Sequence, residues 1–145
     1  MKRVDDNTIF QFREMLARID WSDGFVREMY LASPSYVLPD LSIVEYAARP
    51  HLVALISVAD PEVPGLELLF RGVEELWLPL DAEYAPRVDL RRDSVEFCFQ
   101  GEEQGYHIRA RELWYRAVER DTWGDRLRYA SEGAASLVRG RGVDE

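Results

Sequence analysis

One cysteine, Cys98, serves the whole chain of 145 residues, so no internal disulfide can form and the core must hold by packing. Lysine is almost missing. Lys2 stands alone beside arginines and lies outside any glycine-rich loop, which excludes a Walker-type phosphate site. There is no GxGxxG fingerprint and no GxSxG nucleophile elbow. The longest apolar run, Leu52 to Val58, falls far short of the roughly 20 residues that cross a bilayer as a helix. The opening MKRVDDNTIFQF lacks the apolar stretch of a secretory signal. Together these features predict a cytoplasmic, reduced setting. Histidine is scarce as well, with His51 and His107 isolated in sequence. A metal site built from His51, His107, Asp60 and Glu62 has no ligand spacing to call for it. No metal, cofactor or catalytic residue is expected.

Basic charge is also in deficit. Lys and Arg number 18 against 27 acids, a net charge of −9. Between residues 51 and 90 only Arg71 and Arg87 face eight acids, among them Asp60, Glu62, Glu67, Glu74, Glu75, Asp81 and Glu83. Such a surface repels phosphate backbones, so nucleic acid is not an expected partner. It can steer a basic protein instead. The alternative is that the acids only keep a small domain soluble.

What the chain has in quantity is alternation. Val95, Phe97 and Phe99 alternate with Glu96 and Cys98, and beyond a glycine-bounded loop Tyr106, Ile108 and Ala110 alternate with His107 and Arg109. The pattern predicts an antiparallel hairpin with one buried and one wet face. After Ala110 the phase shifts, because Leu113 and Tyr115 take the parity of Arg109. A β-bulge near Arg111–Glu112 would account for that. Phe25 to Ala32 reads as a strand with Phe25, Met29 and Leu31 on one face and Val26 and Tyr30 on the other. Leu52 to Val58 is apolar on both faces and reads as a central strand. Leu66 to Phe70, Val73 to Leu78, and Val88 with Leu90 extend the β signal.

Helix signals are few. Thr8 and Gln11 fit a capping box before the stripe Ile9, Phe12, Leu16 and Ile19. LSIVEYAA after Asp40 reads as a short helix closed by Pro50, and a weak helical stripe follows Thr122. The expected architecture is α+β: one domain over residues 1–121, with an N-terminal helix on a mainly antiparallel, curved sheet of about five to seven strands. Residues 122–145 form a C-terminal extension with a disordered tail.

Cys98 sits between Phe97 and Phe99 with no neighbour in sequence to lower its pKa, and reads as an inert thiol. Glu74–Glu75 and Glu102–Glu103 are adjacent in sequence, so in a strand their side chains would point to opposite faces. The aromatics are more informative, since Trp, Tyr and Arg are enriched at binding hot spots. The arrangement of WSDGFVREMY, a helical segment, an apolar strand, LELLFRGVEELWL and a closing hairpin resembles small uncharacterised bacterial domains of the toxin-immunity type. The likeness spans residues 20–117 and implies a domain that blocks a toxin by binding it. The expected function is therefore a non-catalytic protein-binding module for a basic partner. Its candidate contacts are Glu62, Glu67, Glu74, Glu75, Trp77, Arg111 and Trp114. The alternative is a ligand-binding or enzymatic pocket under the hairpin, using Glu96, Tyr106 and His107.

Overall fold

Two long strands, β6 (Gly65–Trp77) and β9 (His107–Val118), pair antiparallel from Gly65↔Val118 to Trp77↔His107 and form the spine of the sheet. Beyond β6 lie β5 (His51–Ser57) and then the end strand β2 (Phe25–Ala32). On its other side, β9 pairs through its first half with β8 (Val95–Phe99), which pairs with β7 (Pro86–Leu90). The second half of β9 takes β1 (Lys2–Arg3). The result is a seven-stranded antiparallel sheet, ordered β2-β5-β6-β9-β8-β7, whose ends do not meet to close a barrel. The computed structural model describes residues 1–22, 24–33, 36–44, 49–58, 60, 62–63, 65–77, 86–99 and 107–118. The extension 122–145 and Tyr106 lie outside them. No helix among the described residues is long and apolar enough to cross a membrane.

The single helix among the described residues, α1 (Ile9–Arg18), buries Phe12 and Leu16 against one face of this sheet. That face collects Ala54 and Ile56 of β5, Leu68 and Phe70 of β6, Phe97 of β8 and Leu113 of β9. The Phe12 and Tyr115 rings lie 4.3 Å apart, and Phe70 meets Phe97 edge-on at 5.7 Å. Trp21 closes the end of the helix by donating its indole N–H to the Leu16 carbonyl at 2.8 Å. The helix start differs from the expected capping box. Thr8 occupies the cap position, yet its hydroxyl donates to the Arg3 carbonyl. Asp5 takes over: its carboxylate accepts the Asn7 and Thr8 N–H groups, and its carbonyl accepts that of Ile9. The Asp5 carboxylate thus takes the Thr8 N–H that the Gln11 side chain would serve in a capping box, and the Thr8 hydroxyl is turned to the Arg3 carbonyl.

The opposite face has its own smaller apolar cluster of Val53, Leu55, Leu69 and Val118. β5 is therefore buried on both sides, as its unbroken apolar run predicts.

Three expectations need correction. The segment after Asp40 is not a helix at its start. β3 (Tyr36–Val37) and β4 (Ile43–Val44) form a separate two-stranded sheet, while residues 45–48 lie outside the description. Asp40 accepts the Ser42 N–H and hydroxyl, and Leu41 takes φ 68°, so Asp40 organises a turn and not a helix cap. In β2 a bulge between Val26 and Glu28 moves Val26 to the core face with Met29. Finally, the phase shift near Arg111–Glu112 is real but needs no extra residue in β9. Buried positions change parity in both strands at once, Phe70 to Val73 and Leu113 to Ala110, while pairing keeps one register across that step. The register shift itself falls in β6, between Val73 and Glu75.

Candidate functional site: a kinked strand pair and its polar clefts

Gly72 is the residue that lets β6 change face. Its φ of 65° lies in the left-handed region, which side chains other than glycine rarely tolerate. A Cβ there would also meet the Arg111 side chain at 3.2 Å. The kink interrupts ladder pairing, and the start of β5 supplies substitutes. The Gly72 N–H donates to His51 Nδ1 at 2.9 Å, and the Val73 N–H donates to the Pro50 carbonyl at 2.8 Å. Burial, aided by the Arg71 cation, holds the His51 imidazole below its ordinary pKa.

Two clefts open at this kink and share Arg111 and Glu112. The smaller, of about 200 Å³, is otherwise lined by Arg49, His51, Arg71 and Gly72. The larger, about 670 Å³, runs past Arg3, Asp6, Glu74 and the β7–β8 turn at Arg91 to Ser94. Glu112 is fixed between them: its Oε2 accepts the Trp114 indole N–H at 2.9 Å and its Oε1 lies 3.6 Å from Arg3. The Arg71 guanidinium stands over the Trp114 ring, 5.4 Å from its centroid.

The candidate partner contacts do not form one acidic face. Glu62 is exposed in its loop. Glu67 is wholly buried and ion-paired with Arg116, which withdraws it from any surface. Burial of a carboxylate is tolerated because a guanidinium meets it. Glu74 bridges Arg49 at 3.0 Å and Arg109 at 3.3 Å, and Glu75 pairs with Arg109 at 3.1 Å. Trp77 is 67% exposed at the end of β6. Arg111 lines the cleft at the kink together with Glu112 and Arg71, the two residues that Trp114 contacts.

Of the residues named for the alternative pocket, Glu96 and His107 are described, and each has partners within the fold. Glu96 is nearly buried and gripped by Arg91 through two contacts, at 2.9 and 3.1 Å. His107 instead lines up with Cys98 and Glu75: Sγ to Nδ1 is 3.2 Å, and Nε2 to the Glu75 carboxylate is 3.5 Å. The order thiol, imidazole, carboxylate is that of a nucleophilic triad, and sequence neighbours gave no sign of it. Burial nonetheless pushes the Cys98 thiol up, against a partial opposing pull from Arg87, so the thiol is the resting form. No group of three or more His, Cys, Asp or Glu among the described residues could hold a metal.

Sequence reasoning assigns Arg49 and Arg71 to no site and weighs His51 only as a metal ligand. The available signal was Gly72 inside a strand pattern, which marks a bulge or a close backbone approach. Comparison with protein-family models finds no match to the chain, and neither the curated proteins nor the solved structures yield one.

Proposed function

We propose that the protein is a non-catalytic binding module that recognises a basic protein partner, working in the manner of immunity-type domains. The observation that carries this reading is Trp77. An indole left 67% exposed at a strand end is the residue type that anchors interfaces, and here it sits in the most acidic stretch of the chain. Long-range attraction from a net charge of −9 raises the encounter rate, and the indole sets how long the complex lasts. Internal ion pairs restrict which acids can serve a partner. Glu67, Glu74 and Glu75 already neutralise arginines within the fold, so Glu62 is the free carboxylate of the candidate set.

Affinity capture with wild-type and Trp77→Ala baits in parallel tests the reading. A basic protein retained by wild type and lost from Trp77→Ala is expected. Identical retention by both baits, or retention of acidic proteins only, would contradict it. The genomic neighbourhood gives an independent check, since a toxin gene beside this one supports the immunity-type assignment and a metabolic operon opposes it.

A further inference from the structure

The smaller cleft at the kink gathers positive charge in a chain that is otherwise acidic. Arg49 reaches it from just before β5, Arg71 from β6 and Arg111 from β9, and the neutral His51 ring borders it from the first residue of β5. Neither Arg71 nor Arg111 makes an ion pair with any described carboxylate. The Arg71 Nε is buried without a hydrogen-bond partner, a state that costs free energy unless a ligand or water relieves it. The contact with the Trp114 ring face holds the guanidinium in place without consuming its N–H donors.

The remaining groups also favour an incoming acceptor. Glu112 is the one carboxylate lining this cleft, and both its oxygens are engaged by Trp114 and Arg3. Arg49 meets Glu74 through Nη1 and keeps further donors. His51 accepts the Gly72 N–H at Nδ1, so its neutral ring carries its proton on Nε2, and the Pro50 carbonyl is a further hydrogen-bond partner of the same ring. Burial and Arg71 keep that ring neutral at ordinary pH.

Size then limits the ligand. A volume of about 200 Å³ is room for a small oxyanion or a few waters at roughly 30 Å³ each. It is below the range of roughly 300–1,000 Å³ typical of larger organic ligands. We propose that this cleft is a binding site for a small phosphate-type dianion, held between Arg71 and Arg111 with Arg49 as a further donor and the His51 ring beside it. Guanidinium forks suit a tetrahedral oxyanion because they offer paired N–H groups in a fixed plane.

The test is calorimetric titration of the full chain with inorganic phosphate, and separately with acetate, at ionic strength held constant with sodium chloride. One phosphate per chain is expected, bound at least tenfold more tightly than acetate. Arg111→Gln should weaken phosphate binding by more than tenfold, while Arg18→Gln, an exposed arginine on α1, should leave it unchanged. Because the chain has two histidines, the ring ¹⁵N signals locate the site without any variant: phosphate should move His51 and leave His107 in place. Equal binding of phosphate and acetate, equal losses in the two variants, or an unmoved His51 would each overturn the proposal.

Discussion

Gly72 and His51 show how one residue's conformation reaches the sheet around it. Glycine at φ 65° avoids the steric cost that any Cβ would incur, and the Arg111 side chain leaves no slack for one. Gly72→Ala should therefore destabilise the fold by about 1–2 kcal/mol, read as a lowered denaturant midpoint at constant m-value. A neutral result would mean that the backbone relaxes out of the left-handed region. His51 adds a pH dependence. Its folded pKa is lowered, so between that value and the unfolded one, roughly 6.5, the unfolded chain binds more protons. The stability it contributes is complete above the unfolded pKa and is lost as pH falls through the folded one. Denaturation across pH 5–8 should show wild type weakening on acidification more than His51→Gln, and the His51 ring should titrate below the usual imidazole midpoint.

The elements differ in how plainly the sequence announces them. β2, β5 and the β8–β9 pair are readable because period two and unbroken apolar runs depend only on which faces are buried. The strands β3 and β4 are two residues each, too short to show any period, so Asp40 and the following alanines mimic a helix start. The capping box at Thr8 fails for a related reason, because Asp5 is an equally local competitor that the motif ignores. At the site, the β9 phase change was legible, but its partner in β6 and the arginines around it depend on pairing across strands. Glu67 is the clearest case of context reversing a reading. Alternation places it opposite Leu66 and Leu68, which looks like a wet face, yet its cross-strand neighbours are Leu55 of the second apolar cluster and Arg116, and it is fully buried. Arg116→Met removes the guanidinium paired with this buried carboxylate and should cost about 3 kcal/mol in chemical denaturation. A loss below ~1 kcal/mol would show that the pair contributes little to the element.

For the molecule as a whole, charge is sorted more finely than its net value of −9 suggests. The outer face near β6 and β9 is neutralised from within by Glu74, Glu75 and Arg109, while the kink keeps unpaired guanidinium donors. Glu62 and the Trp77 indole remain exposed, and the proposed partner would meet them. On this account attraction and anchoring act on different steps of binding, and kinetics separates them. The most direct measurement is the association and dissociation of the captured partner, followed at several salt concentrations for wild type and Trp77→Ala. The account predicts an association rate that falls with salt equally in both proteins, and a dissociation rate raised on the order of tenfold or more by Trp77→Ala. A salt-independent association rate, or a dissociation rate unchanged by removing the indole, would contradict it.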